Sequence, residues 1–218
     1  MNVLGAGFFA PLYATAADAL ADVQRAEAAV PAFALAVGRL RRFTSLVTQM
    51  HLEVCGQALA AAGMEGSVPY TVFASELGET TTTIELLRGM TDQGVASAAR
   101  FAQSVHSTPG GIFSIATGNR QPSQALAAGA QTFAAAWLES QLIADESGGP
   151  VLLSIADDAA PDLLGSQRPG RALAVAFLVS SRTSGRAVAA LPPAPAAPHL
   201  RRSAVAQAVA LLAALEAP

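Results

Sequence analysis

Apolar and polar positions along the chain switch repeatedly between short unbroken apolar runs and stretches with apolar residues three and four apart. The first run, "MNVLGAGFF", is bounded by Pro11 and predicts a strand. "DALADVQRAEAAV" has helical spacing. In "RLRRFTSLVTQMHLEVCGQALAAAG", Phe43, Leu46, Val47, Met50, Val54 and Leu59 keep the helical period until Gly63 stops it. "PYTVFASE", Pro69 to Glu76, is β-rich and opens on a proline, as strands can. "TTTTIELLRGM" predicts a short helix with threonines as N-caps. "VASAARFAQSVHS" fits neither period cleanly, and "PGGIFSIATGNR" predicts a helix of about three turns. Next come a strand over Pro122–Ala127, a tight turn at Gly129 and a helix over Ala130–Ala144. "GGPVLLSIADD" and "RALAVAFLVSS" are buried strands, the second after the turn-rich "PDLLGSQRPG". They can pair as an antiparallel hairpin at the end of a sheet. "LPPAPAAPH" reads as an extended linker before a last helix, "RRSAVAQAVALLAALEAP". Strands alternating with helices define an α/β class with a mostly parallel sheet. One domain over 1–190 and a linker-helix tail over 191–218 are expected.

Composition narrows the class. The 218 residues are 52% hydrophobic and 13% charged, enough to bury a sizeable core. Net charge is −3 and every basic residue is Arg, which gives no electrostatic reason to expect nucleic acid. The one cysteine, Cys55, allows no internal disulfide and suits a reducing compartment. With His51, His106 and His199 scattered, neither a metal site nor another cofactor is expected. The N-terminus lacks the basic region of a signal peptide, and no apolar run reaches the roughly 18–20 residues of a membrane span. A cytoplasmic protein is the expectation.

Several motifs could carry chemistry. "GAGFFA" matches the relaxed dinucleotide fingerprint, but Pro11 follows at once and no second strand ends in a suitable acid. His51 and Cys55 share a helix face at i, i+4. In mid-helix the thiol gains no helix-terminal field, so a packed Cys beside a partly exposed His is expected. Glu76 and Glu79 flank Gly78 and read as a solvated loop. Arg39, Arg41, Arg42, Arg201 and Arg202 read as solvated faces able to receive an acidic partner helix. Phe133 and Trp137, four apart, read as core.

"GNRQPSQALAAGAQTFAAAWLESQLIADESGGPVLLSIAD" resembles the ketosynthase segment that runs from a Gly-x-Arg-Gly-Pro-Ser turn through the nucleophile strand and helix to the next buried strand. "VHSTPGGIFSIATG", "TVFASELGETTTTIELL" and "RRFTSLVTQMHLEVCGQALAAAG" resemble elements upstream of it. More narrowly, "VFAS-x-x-GE", "SVHS…FSIATGNR" and "AAGAQTF" resemble short β-ketoacyl synthase-like, chain-length-factor-like proteins of aryl-polyene or xanthomonadin-type pathways. The likeness spans about residues 39 to 180.

The resemblance implies a thiolase-like fold, of which 218 residues hold about one half. The family's nucleophile is a Cys at the start of the elbow helix, where the helix terminus stabilises a thiolate. That Cys falls on Ala130, between Gly129 and Gln131, with Thr132 next. The family's catalytic histidines belong to the second half. Chain-length factors carry Gln in place of the Cys, a role a one-residue slip would give to Gln131. The resemblance therefore implies a non-catalytic protein that binds a ketosynthase or acyl carrier protein. Ser107, Gln131 and Phe133 are its binding candidates, and a homodimer or a heterodimer through strand Pro122–Ala127 is expected. The alternative is an acyltransferase or thioesterase acting on acyl-carrier thioesters through Thr132 or Ser107. A third reading is a nucleotide-binding enzyme using "GAGFFA".

Overall fold

The computed structural model describes residues 1–32, 40, 44–67, 69–159, 171–182, 185–200 and 203–217. The Arg39, Arg41, Arg42 and Arg201, Arg202 patches lie outside the described residues, as do Phe43 and the turn over 161–170. In chain order the elements are β1 (Asn2–Phe9), α1 (Ala16–Ala21), α2 (Leu46–Ala61), β2 (Tyr70–Ala74), α3 (Thr80–Gln93), α4 (Ala98–Phe101), α5 (Thr108–Thr117), β3 (Ser123–Leu126), α6 (Thr132–Ser147), β4 (Val151–Asp157), β5 (Leu173–Ser180), β6 (Arg186–Ala187) and α7 (Ala206–Glu216).

The six strands form one sheet in the order β3-β2-β4-β5-β1-β6. β2 pairs parallel with both β3 and β4, while β5 runs antiparallel between β4 and β1. Strands β1 to β4 therefore point the same way. The β4–β5 pair is antiparallel as expected, but it lies at the middle of the sheet, not its end. The reason is burial. Every residue of β4 and β5 is buried, so both faces of the pair need covering.

Alternate residues of these strands supply two cores. Leu153, Ile155, Val175 and Phe177 pack under α1, α6 and α7. Leu152, Ala156, Ala176 and Leu178 pack under α2 and α5. Phe133 and Trp137 do enter the first core, with ring centroids 6.0 Å and 5.9 Å from Phe177. Burying aromatic rings of this size stabilises by about 1.5–3 kcal/mol each.

Helix α2 is buried on nearly all sides. Ser45 starts it by accepting a hydrogen bond from the Thr48 amide at 3.1 Å. Its close approach to β1 explains "GAGFF". A Cβ on Gly5 would lie 2.3 Å from the Ala58 carbonyl oxygen, and one on Gly7 would lie 2.4 Å from that of Val54. These glycines admit a helix against a strand, which is the bland reading of the motif.

Some boundaries differ from the pattern. Helix α1 stops at Ala21, because Asp22 adopts φ 57° and turns the chain. Its carboxylate then gathers distant groups: Tyr13 donates to it at 2.6 Å, and Arg171 lies 3.3 Å away. His199 reaches the same corner, its Nε2 2.6 Å from the Ala19 carbonyl oxygen. The tail returns to the sheet here. Ala208, Val209 and Leu212 of α7 are buried in the first core.

Candidate functional site

The carboxyl ends of the parallel strands β2, β3 and β4 are where open α/β sheets place ligands. Two features sit there. One is the elbow between β3 and α6; the other is a buried polar cluster beneath it.

At the elbow, Gly129 takes φ 56° and begins a single 3-10 turn over Gly129–Gln131. Helix α6 starts two residues later than the pattern predicts, at Thr132. Thr132 fixes the turn. Its hydroxyl donates to the Gly129 carbonyl at 2.6 Å and accepts from the Ala128 amide at 2.9 Å. The side chain is fully buried and its proton is already held, so it is a turn clamp. Ala130 and Gln131 are exposed. Phe133 is 1% exposed and points into the core. Ser107 is exposed at the N-cap of α5, without a side-chain capping bond. It lines an open cleft of about 230 Å³ with Gly110, Gly111, Ser114 and the β3 residues Ser123 to Ala125.

Strand β3 is the sheet's outer strand. Ser123, Gln124 and Ala125 are exposed and Leu126 is half-buried. Elsewhere on the surface, Phe101, Val105 and Ile115 expose large apolar side chains.

The polar cluster was hidden from the pattern. Glu79 is 4% exposed, not solvated. Its Oε1 accepts from Ser45 at 2.7 Å and Thr48 at 2.6 Å, and its Oε2 from Thr82 at 2.9 Å. Glu79 itself is the N-cap residue of α3, a role expected of threonine, and it makes no side-chain capping bond. Of that threonine run, Thr82 serves the carboxylate, while Thr80 and Thr83 donate to the Leu77 and Glu79 carbonyl oxygens. Three hydroxyl donors are what a buried carboxylate needs in place of water.

Asp157, at the end of β4, is 1% exposed. Its Oδ1 accepts from Ser75 at 2.6 Å and from the Leu77 amide at 2.9 Å, while Oδ2 is buried without a hydrogen-bond partner. Desolvation pushes its carboxyl up to about 6, against the pull of those donors.

His51 is 1% exposed, not partly exposed as its flank suggested. Its Nδ1 lies 2.8 Å from Ser154 Oγ. Burial, aided by nearby His106, pushes its imidazole down to about 3, so the ring is neutral. Cys55 is buried beside the same Ser154 hydroxyl, and burial pushes its thiol up to about 12. A thiol held that high is no nucleophile. The i, i+4 spacing brought the two side chains to one partner, as packing.

Among the described residues, no group of three or more His, Cys, Asp or Glu could hold a metal ion. Among them too, no helix is long and apolar enough to cross a membrane.

A sheet of this order, with a strand–turn–helix elbow at its carboxyl edge, defines a thiolase-like ketosynthase fold. The match to solved structures shows that fold. A ketosynthase (ApeO) in complex with its chain length factor (ApeC) from Xenorhabdus doucetiae matches with a TM-score of 0.65, 19% identity, 82% of this chain and 77% of that one. The ishigamide ketosynthase/chain length factor matches with a TM-score of 0.66, 15% identity, 85% of this chain and 63% of that one. A complex of a type II polyketide acyl-carrier protein with its ketosynthase, AntDE:AntF, matches with a TM-score of 0.65, 12% identity, 81% of this chain and 62% of that one. The chain thus spans less than two thirds of the second and third of these chains. Among curated proteins no relative matches. The family model "Beta-ketoacyl synthase, N-terminal domain" matches residues 15–216, and the chain belongs to that family.

Proposed function

We propose that this chain is a non-catalytic ketosynthase-like subunit. It pairs with a catalytic ketosynthase, alone or with an acyl carrier protein, in fatty-acid or polyketide-type chain extension of the aryl-polyene kind. The observation that carries this reading is the elbow. It has the strand, the left-handed glycine and the helix, and the sequence resemblance sets the family's thiol position at Ala130, which carries only a methyl group. An alanine cannot attack a thioester.

The exposed outer strand supports the assembly part. A strand edge with exposed Ser123, Gln124 and Ala125 offers unpaired backbone groups to a second sheet. Phe101, Val105 and Ile115 add exposed apolar area elsewhere on the surface. Solved ketosynthase complexes with a chain length factor share this fold, which fits a heterodimer. Gln131 is exposed, which suits contact with such a partner.

The test is incubation with acyl-carrier thioesters, alone and with a ketosynthase, followed by intact mass. No covalent adduct on this chain, with extension only when both proteins are present, is the expected result. An adduct that disappears in Thr132→Ala or Ser107→Ala would replace this reading with the acyltransferase or thioesterase one.

A further inference from the structure

Between α2, the end of β2 and the start of α5 lies a small enclosed cavity. Its walls include His51, Ser75, Gly78, Glu79 and His106. The room it leaves for a water's centre is about 10 Å³, which is the volume one water needs. His51 is almost wholly buried, and its Nδ1 is taken by Ser154. Among the described residues the other ring nitrogen, Nε2, has no hydrogen-bond partner, and the His51 ring lines the cavity. His106 holds the Leu126 carbonyl through Nε2 at 3.2 Å. A carbonyl only accepts, so that nitrogen carries the proton, and in the neutral ring Nδ1 then bears the lone pair. Nδ1 is turned toward Gly78, where a Cβ would come within 2.5 Å of it.

We propose that this cavity is a binding site for one ordered water, which joins His51 Nε2 to His106 Nδ1. The water completes a chain of polar groups from the centre of the domain to its outer strand: Ser154, His51, water, His106, and the Leu126 carbonyl at the end of β3. The proton directions agree along it. Ser154 donates to His51 Nδ1. His51 Nε2–H then donates to the water, and the water donates to His106 Nδ1. Such a water gives His51 Nε2 an acceptor and His106 Nδ1 a donor. Its role is positional. It couples the buried face of α2 to the last residue of the strand that enters the elbow. Gly78 keeps the site open, since any side chain there would push His106 off its carbonyl.

The test uses the full chain, alone or with whatever partner it purifies with. A high-resolution crystal structure is expected to show one density peak about 2.7–3.1 Å from both ring nitrogens. Nitrogen-15 spectra are expected to show both histidines as neutral Nε2–H tautomers. In His106→Phe the ring shape stays but the peak disappears, and the amides of Ala127 and Ala128 exchange faster while those of α2 do not. A dry cavity, an Nδ1–H tautomer at His106, or unchanged exchange at Ala127 and Ala128 would each overturn the proposal.

Discussion

Ser75 and Asp157, 82 positions apart, meet at the ends of adjacent parallel strands through a 2.6 Å hydrogen bond. The bond satisfies one carboxylate oxygen and leaves the other buried and unpartnered. Burial outweighs the donors here, and this sets a measurable pH dependence.

The Asp157 carboxyl rises from 3.8 to about 6 on folding. The folded state therefore binds a proton more tightly than the unfolded chain. Its contribution to stability is best below about pH 4 and falls as pH climbs through 6. The gap corresponds to about 3 kcal/mol. Asn cannot ionise, so Asp157→Asn should gain about that much relative to the parent between pH 4 and pH 7. Urea midpoints at both values check this. A pH-independent difference would mean that the carboxylate is better solvated than its setting indicates.

Gly7→Ala drives a methyl into the Val54 carbonyl. Overpacking of this kind costs about 1–3 kcal/mol, here with α2 displaced from β1. Chemical denaturation measures the loss. Unchanged stability would reopen a ligand-binding role for "GAGFF".

Glu79→Ala leaves the hydroxyls of Ser45, Thr48 and Thr82 without their acceptor. A loss of about 3 kcal/mol or more is expected, against about 1 kcal/mol for Glu79→Gln, which keeps one oxygen in place. Equal effects from the two substitutions would show that the carboxylate is not the hub.

Thr132→Val removes two hydrogen bonds that shape the elbow. It should cost about 1–2 kcal/mol in denaturation, with no loss of acyl labelling because none is expected in the parent. Labelling that vanishes with the hydroxyl would make Thr132 a nucleophile.

Most of the frame was legible from periodicity. Strands β1, β2, β4 and β5 and helices α2, α6 and α7 fall where unbroken apolar runs or three-four spacing put them, because burial dictates both pattern and position. The strand order was not legible. β4 and β5 adjoin in the chain, and only the burial of both their faces reveals that they are central. The polar cluster was also hidden. Glu79 sits among threonines that read as helix caps, and a carboxylate's burial depends on donors from α2, 31 to 34 residues away. His51 looked half-exposed because a one-sided helix was assumed, whereas α2 is covered by β1, β5, β4 and α5. The elbow was legible as strand, turn and helix. Its 3-10 turn and late helix start follow from Thr132, whose hydroxyl substitutes for a backbone cap.

The most direct test is co-expression of this chain with a catalytic ketosynthase from the same organism, read by native mass spectrometry. The parent chain should form a one-to-one complex. Ala125→Pro, which removes a backbone donor on the free side of the outer strand, should abolish it while leaving the isolated chain folded. A parent chain that stays strictly monomeric, with no ketosynthase retained, would contradict the account.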